Sequence, residues 1–384
     1  MVKAAFRGEM PVAREYAYFD HAAVSPLPAG AADRLRQFAD QASQSGDKHW
    51  PEWSKIIARL RTAAAAILGA SEGEVALIPN TTIGINLVAE GFPWKIGDNL
   101  VVPDNEFPSN LLPWKNLQRR GVEVRMLPVP ESGTISLDSL LERIDSRTRL
   151  VALSWVGFAS GYRLDLHAVA EAVHRRGALL FVDAIQGLGA FPVNVHDAQI
   201  DFLAADGHKW MLGPEGAGLL YIRNEHLELV EPLLLGWNSL ADGGFDPRST
   251  VLKSTAARYE GGSYNIAGLL ALEASLELLL RLGTNRTDSP IASAILENVE
   301  SIAALLFKHG FDSHVPAQGH RSGILTTTWP GATLPKLLAA RKHCLEQNVI
   351  LSVRAGRLRI ATHAYNNAED IDRLVTALVE AKSA

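Results

Sequence analysis

Between residues 75 and 222 the chain alternates short apolar segments with segments typical of helices. The strand-like segments are, in chain order, VALI, LVV, VEVRML, RLVALSWV, ALLFVD, DFLAA and GLLYI. Helix-like segments separate several of them, and one, DLHAVAEAVHRRG, opens on an aspartate that can cap a helix. Strands that alternate with helices of about ten residues predict a mostly parallel sheet that helices cover on both faces.

The last third of the chain has a different pattern. Two long helix-like segments, NIAGLLALEASLELLLRLG and IASAILENVESIAALLFKHG, precede the strand-like segments GILTTTW and RLRIA. This change predicts a smaller α+β domain over residues 263–384, which residues 1–15 join. The large domain is then expected over residues 16–262.

Composition narrows the classes of protein that fit. A formal net charge of −5 over 384 residues argues against binding to nucleic acid or to an anionic membrane, because both usually need a basic surface. The single cysteine, Cys344, excludes an internal disulfide. The first residues lack the apolar core of a signal peptide, and no run approaches the roughly 18 apolar residues of a membrane span. We therefore expect a cytoplasmic protein.

Polar residues follow several predicted strands, at the edge where an open α/β sheet binds its ligands. Asp183 ends the strand ALLFVD, and Gln186 lies three residues later. The pair Thr81-Thr82 opens the helix after VALI, and the pair His208-Lys209 follows DFLAA. Each feature alone also fits an ordinary cap or a solvated turn.

Together these residue types meet the needs of one cofactor, pyridoxal phosphate. Its phosphate binds N–H groups and hydroxyls at a helix N-terminus, which Thr81 and Thr82 supply. Its pyridine nitrogen needs a carboxylate, such as Asp183, that keeps the nitrogen protonated. Its aldehyde needs a lysine amine, and Lys209 follows the next predicted strand. The sequence therefore predicts a pyridoxal-phosphate site without a metal.

Two segments carry a resemblance to a known family. FVDAIQGLGA, followed by DFLAADGHKWMLGPEGAGLLYIR, resembles the class V aminotransferase family, and the likeness extends from YFDHAAVSPLP to RLRIATHAYNNAEDIDRLV. That family includes cysteine desulfurases and isopenicillin N epimerase-like proteins. The resemblance implies the α/β fold-type I architecture of pyridoxal-phosphate-dependent transferases: a large domain with a mostly parallel seven-stranded sheet between helices, and a smaller α+β C-terminal domain.

The resemblance also implies a role for each residue of the site. The expected roles are: Lys209, the Schiff base and the catalytic amine; His208, Thr82 and the amide of Thr81, the phosphate; Asp183, the pyridine nitrogen; Gln186, the phenolic oxygen; Ala184, one face of the ring; Ser263, the phosphate of the neighbouring subunit; and Arg359, the substrate carboxylate. A homodimer with shared active sites is therefore expected. Read from the residues alone, Arg359 on the strand RLRIA also fits a solvated edge.

The chain departs from the cysteine desulfurases of this family at several positions. SVRAGRLRIA, just before and around Arg359, is short and lacks the desulfurase thiol, while Cys344 lies earlier in a helical stretch. Phe107 in NEFPSN replaces the histidine that stacks on the ring, and an aromatic face can stack there too. Phe158 stands where many relatives have an asparagine. Asp206 replaces a phosphate-binding serine and is expected to turn away or to pair with a cation.

The segment SGDKHWPEW lies where the family lines its substrate entrance. His49 in this segment, and His21 in DHAAVSP, are candidate substrate-binding residues. A packed aromatic loop is the alternative for the segment that contains His49.

We expect an enzyme that acts at the α-carbon of a small amino acid joined to the cofactor, and aminotransferase activity is the leading prediction. Epimerisation or racemisation and C–S β-elimination share the same first proton transfer and remain alternatives. A nicotinamide oxidoreductase is disfavoured because no Gly-x-Gly-x-x-Gly follows a strand, and a serine hydrolase because GGSYN lacks the last glycine of the nucleophile elbow. A non-catalytic relative is disfavoured by the complete set of Lys209, Asp183, His208 and Arg359.

Overall fold

The computed structural model describes residues 2–243, 246 and 248–383. The strands of the described residues are β1 Ala17–Tyr18, β2 Val75–Ile78, β3 Asn99–Pro103, β4 Glu123–Leu127, β5 Thr148–Ser154, β6 Leu179–Asp183, β7 Phe202–Asp206, β8 Gly218–Ile222, β9 Asp312–His314, β10 Ile324–Thr328, β11 Val349–Ile350, β12 Ser352–Arg354 and β13 Arg357–Ala361. The helices are α1 Val2–Gly8, α2 Ala29–Ser45, α3 Trp50–Leu68, α4 Thr81–Gly91, α5 Leu112–Asn116, α6 Leu137–Leu141, α7 Leu166–His174, α8 Ile266–Arg281, α9 Pro290–Lys308, α10 Leu334–Glu346 and α11 Ala368–Ser383.

Seven strands form the central sheet, in the order β2-β8-β7-β6-β5-β3-β4. The neighbours from β7 to β4 run parallel, and only β8 runs antiparallel to both of its neighbours, β7 and β2. The predicted mostly parallel α/β sheet is confirmed. Its parallel strands bring their carboxyl ends to one edge, which is where such sheets bind ligands.

The inner strands of the sheet are mostly apolar because both of its faces are buried, whereas the edge strand β4 carries Glu123 and Arg125. In β6, Leu180 and Val182 pack into one core while Phe181 packs into the core on the opposite face. The other central strands alternate in the same way, as the two-residue period of a strand requires. Two hydrophobic cores, one on each side, therefore hold the sheet rigid.

A second sheet lies in the C-terminal part of the chain. It is antiparallel in the order β12-β13-β10-β9, and β1 pairs in parallel with β11 near it. A third core contains residues of α9, α10 and α11 together with Ala17 and Phe19 from the N-terminal segment. The start of the chain thus packs with its C-terminal part.

The contacts of α8 bear on the predicted domain boundary at residue 263. This helix packs on α2 and α3, and Leu269, Leu272 and Leu276 lie in one of the cores that cover the central sheet. The boundary stays a prediction, because α8 contacts the part of the chain that precedes it.

Helix α9 is long and apolar enough to cross a membrane, by length and composition alone. No membrane span was expected from the sequence of this helix, in which Glu297 and Glu300 interrupt the apolar residues. In the structure Ile295 packs in a core of the central sheet and Ile302 packs in the third core. The core helix of a globular domain passes the same test of length and composition.

Helix α4 approaches the sheet closely at Gly84. A Cβ atom there would lie 2.7 Å from Cδ1 of Ile78 and 2.9 Å from Cβ of Ala204. The absence of a side chain therefore fixes how near the N-terminus of α4 sits to the ends of β2 and β7.

We predict that Gly84→Ala destabilises the fold by about 1–3 kcal/mol, because the added methyl group overpacks a core in which Ala204 cannot rotate away. Gly30→Ala is the matched control, since a Cβ atom in α2 would meet nothing within 4 Å. Urea unfolding measures both variants. A Gly84→Ala protein as stable as the Gly30→Ala protein would contradict the close approach.

Candidate active site

Lys209 lies three residues after the end of β7 and lines a cavity of about 350 Å³. Burial lowers the pKa of its amine to about 8, and the carboxylate of Asp183 partly opposes that effect. The Nζ atom also lies 5.8 Å from the centre of the Phe107 ring. With such a pKa about a tenth of the amine is neutral and nucleophilic at pH 7, far more than for a lysine with the ordinary pKa.

Asp183 ends β6 and lines the same cavity. Its Oδ1 accepts a hydrogen bond from the backbone N–H of Ile185 at 3.0 Å. Burial raises the pKa of its carboxyl group to about 6, while that hydrogen bond and the charge of Lys209 lower it. Because few hydrogen bonds and charges stabilise this buried carboxylate, it is suited to pair with a cationic group of a ligand.

The N-terminus of α4 opens onto the cavity. Asn80 is its N-cap residue, and the side chain of Asn80 accepts a hydrogen bond from the N–H of Ile83. As at every helix N-terminus, the first N–H groups have no partner within the helix. Thr81 Oγ1 accepts the N–H of Asp206, and Thr82 Oγ1 donates to Ser109 Oγ at 2.9 Å. This end of the cavity can bind an anion.

Asp206 carries a carboxylate beside this anion-binding end. Its Oδ1 accepts the N–H of Gly207, and its Oδ2 lies 2.9 Å from Nδ1 of His208, although the angles do not make a hydrogen bond. The carboxylate therefore lies beside an adjacent imidazole. The expected pairing of Asp206 with a cation stays a prediction.

Gln186 connects the cavity to the surrounding structure. Its Nε2 donates to the carbonyl of Ala22, and its Oε1 accepts from Nε1 of Trp210, both at 2.9 Å. These bonds fix the amide plane and leave one Nε2 proton for a ligand.

Arg359 is 2% exposed and is held by several acceptors. Its guanidinium donates to Asp20 Oδ1 at 3.2 Å, to Ser352 Oγ at 3.2 Å and to the carbonyl of Phe158 at 3.0 Å. Ser352 in turn donates to Asp20 at 2.7 Å. The planar cation is thereby oriented in the wall of the cavity, where it can bind a carboxylate.

The face of the cavity beside Lys209 is aromatic. Phe107 is 45% exposed and meets Phe158 edge to face, with 5.3 Å between ring centres. On another wall Ile185, and not Ala184, lines the cavity. The chain turns directly after β6, where the N–H groups of Gly187 and Leu188 donate to the carbonyl of Ala184, and Ala184 is buried in one of the cores. Its predicted contact with one face of the ring stays a prediction.

The structure brings most predicted site residues to one cavity. Its walls include Thr81, Thr82, Phe107, Asp183, Gln186, His208, Lys209 and Arg359. His21, His49 and Ser263 do not line it in this chain.

His21 lies outside the cavity and is fully buried. Its Nδ1 lies 2.9 Å from the carbonyl of Ala361, and its Nε2 lies 2.9 Å from the hydroxyl of Tyr365. Burial lowers the pKa of its imidazole to about 4. Both ring nitrogens are used, so the expected substrate contact is corrected to a structural role.

His49 and Ser263 lie elsewhere. His49 precedes α3, where its Nδ1 lies 3.3 Å from Glu52 and its ring packs beside Trp53. That is the packed aromatic arrangement given above as the alternative. Ser263 is exposed, and its predicted contact with a neighbouring subunit stays a prediction.

Asp20 and Glu106 support the site from behind its walls. Asp20 anchors Arg359, and Glu106 accepts hydrogen bonds from the backbone and hydroxyl of Ser154. Burial raises the pKa of Glu106 to about 7, with a contribution from Asp183. Glu106 was among the polar residues expected at the strand ends, because it follows the strand LVV, whereas the only signal for Asp20 was its place next to His21.

Cys344 is buried in α10 and packs in the third core. Burial raises the pKa of its thiol to about 12, so the thiolate is scarce at neutral pH. Cys344 is not among the residues that line the cavity.

Comparison with known proteins identifies the family. The family model described as aminotransferase class-V matches residues 17–374. The chain belongs to the aminotransferase class-V family. A probable cysteine desulfurase of Methanothermobacter thermautotrophicus is 30% identical over 97% of this chain and 96% of its own length. The cysteine desulfurase CsdA of Escherichia coli is also 30% identical, over 98% and 96% respectively.

Solved structures of similar proteins share the fold. The apo cysteine desulfurase of Thermococcus onnurineus NA1 has a TM-score of 0.88 and 25% identity, over 99% of this chain and 98% of that one. A C-DES mutant with glycine covalently linked to its pyridoxal-phosphate cofactor has a TM-score of 0.89 and 24% identity, over 97% and 99%. The fold-type I architecture is confirmed.

Pyridoxal phosphate is the cofactor of this class V enzyme, and the cavity fits it. The cofactor carries an anion, a basic ring nitrogen and an aldehyde. The N-terminus of α4 fits the anion, the buried carboxylate of Asp183 fits the ring nitrogen, and the amine of Lys209 fits the aldehyde.

We predict that the apoprotein binds pyridoxal phosphate covalently at a rate that rises through a midpoint near pH 8, because only the neutral amine of Lys209 attacks an aldehyde. Asp183→Asn removes a charge that raises this pKa, so its midpoint falls. Arg359→Gln removes a charge that lowers the pKa, so its midpoint rises. Stopped-flow absorbance at a series of pH values measures the midpoint for each protein. A midpoint that neither variant shifts would contradict the assigned electrostatics.

Proposed function

We propose that this class V enzyme is an amino-acid aminotransferase in which Lys209 is the base that moves the α-proton. The observation that carries this proposal is the buried amine of Lys209, with its pKa near 8, in one cavity with Arg359 and Asp183. A general base works best when its pKa lies near the working pH.

The cofactor would be held at both ends. The amides of Thr81 and Thr82 and the imidazole of His208 would bind its phosphate, and Asp183 would hold a proton on its ring nitrogen. Pyridoxal phosphate, when bound, supplies an electron-poor ring that delocalises negative charge from the α-carbon. Phe107 and Ile185 would exclude water from the ring.

The substrate would be oriented by its carboxylate. Arg359 is fixed by Asp20 and Ser352 before any substrate arrives, so little orientation entropy is lost when a carboxylate binds. Lys209 Nζ would then remove the proton from the α-carbon and return it in a later step.

Phe107, which lies beside Lys209 in the cavity, favours transamination over reactions that need a second proton donor. Phenylalanine at position 107 cannot donate a proton, whereas the histidine expected in desulfurases could. A reaction in which one amine moves one proton needs no such donor. Persulfide formation is not proposed, since Cys344 is buried in the third core.

A C–S lyase is the second candidate. The relatives at 30% identity are named cysteine desulfurases, which act on a carbon–sulfur bond. This candidate uses the same Lys209 and Arg359, and it differs in that the side chain of the substrate departs.

We also propose a homodimer. Leu233, Leu234, Leu235 and Trp237 are large apolar side chains that are exposed in the single chain, and Ser263 is exposed further along it. Burial of such a patch against a second copy would remove apolar surface from water.

The test is a spectral and product screen of the holoenzyme against common amino acids, with a keto acid as acceptor. Transamination is expected to convert the cofactor to its amine form and to yield one new amino acid per keto acid formed. Release of pyruvate and a sulfur product from cysteine or cystine, without the amine form, would favour the lyase instead. A holoenzyme that Lys209→Ala leaves fully active would overturn both.

Arg359→Lys is expected to raise the KM for the preferred amino acid about 10- to 100-fold with a smaller effect on kcat, because a point charge replaces a bidentate fork. Arg176→Lys, at an exposed arginine in another part of the chain, is the control. An unchanged KM in Arg359→Lys would show that another group binds the carboxylate.

A further inference from the structure

The hairpin formed by β12 and β13 carries arginines on one face. Ser352 lies opposite Arg359 and Arg354 lies opposite Arg357, so these four side chains share a face while Leu358 and Ile360 pack on the other. Ala355 and Gly356 make the tight turn with positive φ angles of 48° and 72°. This hairpin occupies the stretch that, by the resemblance, carries the thiol in the family's cysteine desulfurases and lacks it in this chain.

The three arginines differ in their partners. Arg359 is bound by Asp20 and Ser352, and Arg357 donates to the carbonyl of Asp312 at 2.7 Å. Arg354 donates only to the carbonyl of the preceding residue, Val353. Within the part of the chain that the structure describes, no carboxylate lies within ion-pair distance of Arg354.

Arg354 faces the active site. It lines the cavity of Lys209, and its charge, like that of Arg359, lowers the pKa of the Lys209 amine. Diagonal neighbours of an antiparallel pair, such as Arg354 and Arg359, are about 7–8 Å apart at their Cα atoms. Two cations at this spacing suit a ligand with two carboxylates.

A second cavity continues from the first. It measures about 430 Å³, and Phe158 and Arg354 line both cavities. Thr326, Ser160 and His314 contribute polar groups to the second cavity, whose lining is otherwise mostly apolar. Arg354 therefore stands where a substrate side chain would leave the site of α-carbon chemistry.

Four carboxylates of the two cavities act against the binding of an anion. Glu131 lines the second cavity, and Asp183, Asp206 and Glu215 line the first. None of them is ion-paired with Arg354, whose guanidinium donates only to the carbonyl of Val353 and keeps its other N–H groups for a ligand.

We propose that Arg354 selects amino acids whose side chain ends in a carboxylate, with roughly two or three methylene groups between that carboxylate and the α-carbon. The inference rests on the proposed function in that Arg359 binds the α-carboxylate. Arg354 would then bind the distal carboxylate through its planar fork of N–H donors.

Binding without turnover tests this directly. Glutarate and butyrate differ by one carboxylate, and neither carries an amine. Glutarate is expected to bind the holoenzyme about 10- to 100-fold more tightly than butyrate, by calorimetry. Arg354→Gln should abolish the difference, Arg354→Lys should restore part of it, and Arg176→Gln should leave it intact. Equal binding of the two acids, or a preference that survives Arg354→Gln, would overturn the proposal.

Turnover separates this proposal from the proposed function. L-glutamate is expected to have a KM at least about tenfold below that of L-glutamine, and Arg354→Gln should remove that ratio while both amino acids are still converted. Loss of the glutarate preference with amino acids still converted would overturn the role of Arg354 alone. Absence of any amino-acid conversion, with the glutarate preference intact, would overturn the proposed function and keep Arg354 as a carboxylate-binding residue.

Discussion

The structure of this site depends on one electrostatic constraint, the burial of Lys209 and Asp183 in one cavity. Burial disfavours both charges, and it shifts their pKa values toward each other, to about 8 and about 6. The two groups come from the ends of neighbouring parallel strands, β7 and β6, so the sheet determines that they meet. Pyridoxal phosphate would lower the free-energy cost of burying both groups, because it would bond to the amine and pair its protonated ring nitrogen with the carboxylate.

The alternation of strands and helices was enough to predict the sheet, because a doubly covered parallel sheet leaves a strong apolar pattern. The residues at the strand ends were predictable for the same reason. Side-chain direction beyond a strand end was harder, and Ile185 rather than Ala184 lines the cavity. The predicted substrate contact of His21 was wrong as well, because its place next to Asp20 in the sequence does not indicate that its ring is buried in the core.

The hairpin of β12 and β13 shows how one fold can carry different chemistry. Its backbone closes in a tight turn that leaves no room for a long mobile loop, and its cavity face carries arginines. Arg359 is fixed in place by Asp20, whereas Arg354 donates only to the carbonyl of Val353. The ion pair of Arg359 joins residues more than three hundred positions apart, which no local pattern in the sequence reveals.

The central claim is that the buried amine after β7 is covalently bound to pyridoxal phosphate. Borohydride reduction of the purified holoenzyme followed by peptide mapping tests it most directly. The account predicts a single phosphopyridoxyl group, on the peptide that contains Lys209. A cofactor fixed to any other lysine, or protein that takes up no cofactor when it is supplied, would contradict the account.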